Sequence, residues 1–344
     1  MTGRPFIIII LIVVLGWRLL TQYNIQSDVS KNVHESAQTY PELVKLRMLL
    51  YEKVSSRVSK ILPSPHSDLL LGLTLGFDDI GENRLFNSYL KKTGTLHVVV
   101  VSGFNISLVL SFIVRVVGNK YSRKDFVIIY LCLFLYTIVT GFNPPVVRAF
   151  VMSLFQGLGK ISGRAIPIIQ ILVASSLIML IANPLYLTNL SFILSFTATL
   201  GLFMFSMYFH MLFEQLKLSK NMLIQDLTAS LSAQVLVWPI ISYYFGEISL
   251  ISPLANMFSL WTIPISTILG FLLLTCVFIS EQLGSLAGIL IFPFLDTFVF
   301  LIEVFGRLPF ASVVYKLTFL QLAAYYIAVG IILVWLKLKF NKCP

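Results

Sequence analysis

Long runs of apolar residues, separated by short polar loops, dominate the chain from residue 95 onward. A helix needs about 20 consecutive apolar residues to cross a bilayer, so runs of this length predict membrane-spanning helices. Together with an apolar run at residues 6–15, they predict about ten membrane segments. The runs cover residues 95–117, 126–142, 145–159, 166–183, 188–209, 227–245, 250–279, 284–305 and 318–336.

One of these runs, residues 250–279, contains Pro253 and Pro264. Proline lacks the backbone N–H donor and therefore breaks or kinks a helix. The run predicts a broken or re-entrant helix, and irregular backbone at membrane depth needs protein or water around it.

A long polar stretch, residues 21–68, follows the N-terminal run. Apolar residues recur in it near helical spacing, which predicts an amphipathic helix from about Pro41 to Leu62 on the membrane surface. Its predicted apolar face consists of Leu43, Leu46, Leu50, Val54 and Val58. Residues 69–92 are half apolar and are interrupted by glycines and by Asp78-Asp79, so we expect them not to span.

Composition agrees with a membrane protein. The chain is 57% hydrophobic and 12% charged, whereas about a quarter of the residues in a soluble domain are charged. We predict an all-α, polytopic bundle of about ten membrane segments, some of them broken or re-entrant. The expected parts are an uncleaved N-terminal anchor (residues 1–20), an extracytoplasmic segment (21–68) and a transmembrane domain (69–344).

Basic residues are unevenly distributed between alternate loops. The loops near residues 143, 185 and 248 carry no Lys or Arg, and the loop near 311 carries two, Arg307 and Lys316. The other side holds Arg115, Lys120, Arg123, Lys124, Lys160, Arg164, Lys217, Lys220, Lys337, Lys339 and Lys342. Because cytoplasmic loops are enriched in Lys and Arg, the loops that carry these eleven residues are predicted to be cytoplasmic, as are both termini.

Residues suited to catalysis or metal binding are sparse. The four histidines, His34, His66, His97 and His210, form no metal-binding spacing, and the sequence has no phosphate-binding Walker loop. We therefore predict no catalytic residue, no metal and no cofactor, and we do not expect an enzyme.

Four polar or small residues, His97, Ser102, Gly103 and Asn105, stand at the head of the run 95–117. An uncompensated polar group in an apolar medium costs about 2–7 kcal/mol, so such a series indicates a passage or a binding site. In a continuous helix, His97 and Asn105 would share one face. The alternative is structural: a helix cap at His97, a hydroxyl bonded back to a carbonyl, and a glycine packed on a neighbouring helix.

Arg148 lies in the first turn of a helix predicted to begin near Pro144-Pro145. The position suits an interfacial arginine that extends its charge to water. It equally suits a contact to phosphate or carboxylate, because a helix N-terminus adds partial positive charge.

Gln234, Asn256 and Asp296 each lie near a proline within an apolar run. Polar side chains at helix breaks often form transport sites. They also satisfy the carbonyl groups that a proline leaves free. The sequence leaves both interpretations open.

Several of these segments resemble successive signatures of the ComEC family. In order they are Leu75-Gly76, Gly94-Thr95-Leu96-His97 with Ser102-Gly103, Pro145-Val146-Val147-Arg148-Ala149, Leu194-Ser195-Phe196, Ser232-Ala233-Gln234 with Pro239, and Ser252-Pro253-Leu254-Ala255-Asn256. ComEC proteins form the inner-membrane channel for one strand of transforming DNA. The resemblance implies a multi-pass inner-membrane channel for single-stranded DNA whose path includes His97, Ser102, Gly103, Asn105, Arg148, Gln234 and Asn256.

The resemblance also has departures. Family members usually carry a second histidine where Asn105 stands and a glutamine where Ile193 stands. Larger members have an outer domain and a metallo-β-lactamase-like domain, for which we find no counterpart here. Besides single-stranded DNA and the lipid bilayer, we therefore expect a separate nuclease, a cytoplasmic helicase-like ATPase and an outer DNA receptor as partners, and leave a homo-oligomer open.

Two other functions are compatible with the same residues. A secondary transporter for a small anionic or polar metabolite would use Arg148 and Asn256 near broken helices. A scaffold that transports nothing would organise other membrane proteins. Pore width distinguishes the first from a DNA channel, because a nucleotide chain needs a continuous passage.

Overall fold

The computed structural model of the chain describes residues 41–77, 83–99, 101–117, 122–218 and 221–340. The predicted anchor, residues 21–40 and Asp78-Asp79 lie outside this part of the chain. The prediction of an all-α fold is confirmed, since the described residues are mostly helical. The helices are α1 (Pro41–Val58), α2 (His66–Leu75), α3 (Arg84–Lys92), α4 (Leu96–Val99), α5 (Gly103–Val117), α6 (Arg123–Val139), α7 (Pro144–Ile161), α8 (Ile168–Ala182), α9 (Leu190–Gln215), α10 (Met222–Phe245), α11 (Ser252–Ser259), α12 (Thr262–Ile279), α13 (Glu281–Gly306) and α14 (Phe319–Phe340).

Two short strands complete the described secondary structure. Strands β1 (Glu247–Ser249) and β2 (Ser312–Val314) pair antiparallel, with Ile248 opposite Val313. A short 3₁₀ helix at Pro184–Thr188 connects α8 to α9.

Six stretches of the described chain are long and apolar enough to cross a bilayer. They are α4 with α5, α9, α10, α12, α13 and α14. Helix α8 is apolar but shorter. The total of about ten membrane segments stays a prediction.

The chain divides into two compact units. The first unit comprises Met1–Asn87, Leu96–Phe196 and Trp261–Phe300. The second unit comprises Ser88–Thr95, Thr197–Leu260 and Leu301–Pro344.

Helix α2 lies in the interior of the first unit. Eight of its ten residues are buried, among them Leu69, Leu70 and Leu73. A Cβ added at Gly72 would lie 2.5 Å from the Val99 carbonyl oxygen, so glycine permits the close approach of α2 to α4. The prediction that residues 69–92 form no span agrees with the division into two short helices, α2 and α3.

The predicted apolar face of α1 is only partly correct. Val54 and Val58 are buried, but Leu46 and Leu50 are 55% and 44% exposed. In the N-terminal half of α1, the side chain that faces inward is Arg47. It precedes Val54 and Val58 by seven and eleven residues, which places it on the same face of the helix. Helical spacing therefore predicted the helix but placed the wrong side chains on its inner face.

Arg47 faces inward because it binds the C-terminal ends of two helices. Its guanidinium donates to the carbonyl oxygens of Gly76 (3.0 Å), Val139 (3.0 Å) and Thr140 (3.3 Å). It also lies 4.3 Å from the centroid of the Phe77 ring. The last carbonyls of a helix lack intrahelical partners and carry partial negative charge, which a cation stabilises. Desolvation lowers the pKa of Arg47 from its ordinary value.

The run at residues 95–117 is not one helix. Helix α4 ends at Val99 and α5 begins at Gly103. Val101 and Ser102, which precede α5, are not helical, so the continuous helix in which His97 and Asn105 would share one face does not form. The predicted break in the run 250–279 is confirmed: the run forms α11 and α12.

Candidate functional site

Four polar side chains form a buried cluster in the second unit, which we call the amide cluster: Ser230 and Gln234 on α10, and Ser252 and Asn256 on α11. Gln234 Nε2 donates to Ser252 Oγ at 2.7 Å and to Ser230 Oγ at 3.1 Å. Asn256 Nδ2 donates to Ser230 Oγ at 2.8 Å. The predicted candidates Gln234 and Asn256 are thus brought together.

Helical spacing explains the arrangement. Ser230 precedes Gln234 by four residues, and Ser252 precedes Asn256 by four, so each pair lies on one face of its helix. Where α10 packs on α11, the amide of each helix donates a hydrogen bond to the serine hydroxyl of the other helix. The serines supply acceptors that an apolar residue of similar size would lack.

The amide oxygens of the cluster have no hydrogen-bond partner in the described part of the chain. These atoms are Gln234 Oε1 and Asn256 Oδ1, and both are buried. Leaving such an acceptor unsatisfied costs about 1–3 kcal/mol. The cluster therefore has spare capacity to accept hydrogen bonds from water or a ligand.

Gly94 packs against the amide cluster. A Cβ at this position would lie 2.7 Å from Ser252 Oγ, and the backbone has a φ of +67°. Both features favour glycine, since L side chains rarely adopt this conformation. The sequence singled out the segment that begins at Gly94, but not this contact.

Pro239 leaves the Val235 carbonyl of α10 without its helical donor, and two tyrosines bind the carbonyls of Val235 and Leu236. Proline cannot donate to the carbonyl four residues earlier, which belongs to Val235. Tyr325 Oη donates to that oxygen at 2.8 Å. The next residue of α14, Tyr326, donates to the carbonyl oxygen of Leu236 at 2.7 Å.

These tyrosines occupy the carbonyls that the structural interpretation assigns to Gln234. Its amide group binds Ser230 and Ser252, not the carbonyls near Pro239. Gln234 therefore does not satisfy the carbonyls that Pro239 frees, and its place in a transport path stays a prediction. Sequence reasoning missed Tyr325 and Tyr326, for which the only available signal was a pair of hydroxyl groups within an apolar run.

Arg148 and Gly103 meet in the first unit. Arg148 is the fifth residue of α7, one turn in from the start at Pro144, where two prolines take the first positions. A Cβ added at Gly103 would lie 3.2 Å from Arg148 Nη2. Gly103 therefore provides room for the guanidinium at the start of α5.

The Arg148 guanidinium lacks a polar partner within the described residues. No hydrogen bond or ion pair reaches it there, and its Nε is buried. The guanidinium carbon lies 5.8 Å from the centroid of the Phe196 ring. A desolvated cation without a carboxylate or carbonyl partner is costly, so this position suits an anionic ligand.

The remaining candidates at the head of the run 95–117 differ from one another. Asn105 is fully buried, and its Nδ2 donates to the carbonyl oxygen of Leu73 at 3.0 Å. That carbonyl lies in the last turn of α2, so Asn105 joins α5 to α2. Ser102 is half-buried and His97 is exposed on α4. The amide nitrogen of Asn105 thus has a structural partner that the sequence did not predict.

Asp296 pairs with a histidine that the sequence did not single out. His66 Nε2 lies 3.2 Å from Asp296 Oδ1, and the His66 ring stacks on Phe292 with centroids 4.9 Å apart. His66 is 8% exposed. The contact joins α2 to α13, so Asp296 has a partner other than the carbonyls near Pro293.

Comparison with known proteins identifies the family. The family model described as "Competence protein" matches residues 74–339. ComE operon protein 3 of Bacillus subtilis (strain 168) is 28% identical over 72% of this chain and 31% of its own length. The uncharacterized protein YcaI of Escherichia coli (strain K12) is 23% identical over 68% of the chain and 32% of its own length.

The chain thus spans about a third of the length of these two relatives. No solved structure matches it. The matched residues include all seven candidate positions, from His97 to Asn256, together with the amide cluster. The chain therefore belongs to the competence protein family, and the resemblance to ComEC proteins seen in its sequence is confirmed.

Proposed function

We propose that this chain forms a conduit for single-stranded DNA across the bacterial cell membrane during natural transformation. Family membership supports a role in DNA uptake. The structural observation that carries the proposal is the Arg148 guanidinium, which has no hydrogen bond or ion pair in the described part of the chain. A transported polyanion supplies the missing negative charge.

Arg148 suits a moving phosphate better than a tightly held one. Its guanidinium offers a planar fork of donors that matches phosphate oxygens. Helix α7 is 18 residues long, and its N-terminus adds partial positive charge beside Arg148. A single cation among apolar neighbours binds each phosphate without the multiple charges that would trap it, and conduction needs binding weak enough for release.

The amide cluster supplies a different contact. The buried oxygens of Gln234 and Asn256 accept hydrogen bonds, so they suit the amino groups of bases or the waters around them. Such contacts tolerate many sequences, as transport of unspecified DNA requires. The chain also has 28 Phe and 14 Tyr, and stacking of a base on an aromatic ring contributes about 1–3 kcal/mol.

The proposed conduit depends on partners. Movement of the strand requires an energy source, for which we propose a cytoplasmic helicase-like ATPase. We also propose an outer DNA receptor and a separate nuclease that degrades the other strand. In this arrangement both termini of the chain lie in the cytoplasm, in line with the distribution of basic residues.

DNase-resistant uptake of labelled DNA tests the proposal. The assay compares cells that express the chain, cells that lack it, and cells that express Arg148→Ala or Arg307→Ala. Arg307 is the matched control because its Nη2 binds Glu303 Oε2 at 2.8 Å and its side chain is exposed. We expect loss of protected single-stranded label without the chain and with Arg148→Ala, and normal uptake with Arg307→Ala.

Immunoblots of membrane fractions must show equal amounts of the two variants. Uptake that is unchanged by Arg148→Ala at equal abundance would contradict the proposed role of Arg148. Unchanged uptake in cells without the chain would contradict the function itself.

The broken helices favour a secondary transporter as the second candidate. The interruptions after α4 and α11 lie close in sequence to Ser102 and Asn256, as at many transport sites. Purified chain in planar bilayers separates the two functions. A DNA conduit is expected to give single-channel currents that added single-stranded DNA blocks, whereas a carrier, sealed on one side at a time, gives none.

A further inference from the structure

An apolar groove of about 480 Å³ lies in the second unit, between α9, α10 and α14. Its walls include Phe205, Leu212 and Gln215 of α9 and Val329, Ile332 and Leu336 of α14. The volume falls in the range of small-molecule sites. The groove is separate from the amide cluster, none of whose four residues lines it.

In a bilayer, the groove faces lipid hydrocarbon and not water. Helix α14 is one of the six candidate spans, and only 6% of its most apolar window is buried within the protein. Ala328 and Ile332, which line the groove, are exposed in the chain itself. An empty apolar groove forfeits dispersion contacts, so in a bilayer a hydrocarbon chain fills it.

Lysines stand at the C-terminal ends of α9 and α14, two of the three helices that line the groove. Lys217 follows the groove residue Gln215 by two positions, and Lys337 directly follows the groove residue Leu336. Lys339 Nζ lies 4.9 Å from the ring centroid of Trp335, a pairing typical of the membrane interface. Because the predicted topology runs α9 and α14 in the same direction, these lysines belong to one leaflet.

Two details strengthen the case for an anion at this end. Lys217, two residues after the end of α9, is exposed, so its charge is available at this end of the groove. Acidic residues are few nearby: Glu214 is the only one in residues 205–218, it lies 4.0 Å from His210, and α14 has none. Lysine clusters beside membrane helices attract anionic headgroups.

We propose that this groove binds one acyl chain of an anionic phospholipid, with the phosphate at Lys337, Lys339 and Lys217. The site combines an apolar slot for the chain with a cationic end for the headgroup. A zwitterionic lipid fills the slot but gains less from the lysines, so the site distinguishes lipids by charge.

Lipid retention tests the proposal. The full chain is purified from vesicles of equal parts phosphatidylglycerol and phosphatidylcholine, and the retained lipid is counted by native mass spectrometry. The variants are Ala328→Trp, which fills the groove, and the triple variant Lys217→Gln, Lys337→Gln, Lys339→Gln. The matched control is Ala324→Trp, because Ala324 is an exposed alanine of the same helix that does not line the groove.

The unmodified chain is expected to retain phosphatidylglycerol over phosphatidylcholine by about fivefold or more, which corresponds to one effective lysine. Ala328→Trp should lose the retained lipid, while Ala324→Trp keeps it. The lysine variant should keep its lipid and lose the preference. Equal retention of the two lipids by the unmodified chain, or equal retention by the two tryptophan variants, would overturn the proposal.

The lysine variant protects the test against misfolding. All three lysines are exposed, so their replacement leaves the packing of α9 and α14 unchanged. A preference for phosphatidylglycerol that survives in this variant also counts against the site, whatever happens to Ala328→Trp.

Discussion

Gln234 on α10 and Asn256 on α11 share one acceptor: both amide nitrogens donate to Ser230 Oγ, at 3.1 and 2.8 Å. This shared hydrogen-bond acceptor fixes the rotation of α11 relative to α10, because Gln234 and Asn256 must both point at the same hydroxyl group. It also leaves the two amide oxygens available. A site held this way can accept hydrogen bonds without first breaking internal ones.

Ser230→Ala should destabilise the second unit. The change removes the shared acceptor and leaves two buried amide groups with fewer partners, which costs about 1–3 kcal/mol. Thermal unfolding in detergent measures the loss. Ser232→Ala is the control, because the buried Ser232 hydroxyl donates only within α10, to the carbonyl oxygen of Thr228 at 2.6 Å. Equal melting temperatures for the two variants would contradict the sharing.

Gly94→Ala should destabilise the chain more than Gly163→Ala. Both glycines have a positive φ, +67° and +63°, so both substitutions pay a similar backbone cost. At Gly163 a new Cβ meets nothing within 4 Å, whereas at Gly94 it lies 2.7 Å from Ser252 Oγ. The difference between the two melting temperatures isolates the crowding at Ser252. No difference would mean that the loop at Gly94 moves freely away from the amide cluster.

Tyr325→Phe should lower the free energy of unfolding, since it leaves the Val235 carbonyl unsatisfied next to Pro239. Hydrogen bonds between membrane helices contribute about 0.6 kcal/mol on average and up to about 2 kcal/mol. In a Pro239→Ala background the backbone N–H returns and should satisfy Val235, so the cost of Tyr325→Phe should shrink. A double-mutant cycle by SDS unfolding measures this coupling. If the effects of Tyr325→Phe and Pro239→Ala on the free energy of unfolding are additive, the Tyr325 hydrogen bond does not depend on Pro239.

A lysine at position 47 should not reproduce the contacts that the Arg47 guanidinium makes. An ammonium group cannot donate in a planar fork to three carbonyls and stack on Phe77 at the same time. Since hydrogen bonds from charged groups contribute about 1.5–3 kcal/mol, both Arg47→Lys and Arg47→Met should destabilise the first unit. Lys45→Met, at an exposed position of the same helix, provides the control. Proteolysis of α1 in detergent measures the effect, and a stable Arg47→Lys would argue against the fork.

The sequence alone determined the helical class, the places of the apolar helices and the break within residues 250–279. These features are local: the length of an apolar run and the position of a proline act within one helix. The sequence also selected Gly103, Arg148, Gln234 and Asn256, because polar or small residues are conspicuous in an apolar run. It did not settle whether the run 95–117 is interrupted; Val101 and Ser102 are not helical, so His97 and Asn105 do not share one continuous helix.

Only the tertiary structure decided which polar groups meet. Asn256 binds Ser230, 26 residues away, Tyr325 binds Val235, 90 residues away, and Arg47 binds Val139, 92 residues away. A hydroxyl or guanidinium in a helical pattern looks the same whether it faces lipid, water or a distant carbonyl. Its partner depends on the packing of helices far apart in the chain, which no local pattern records.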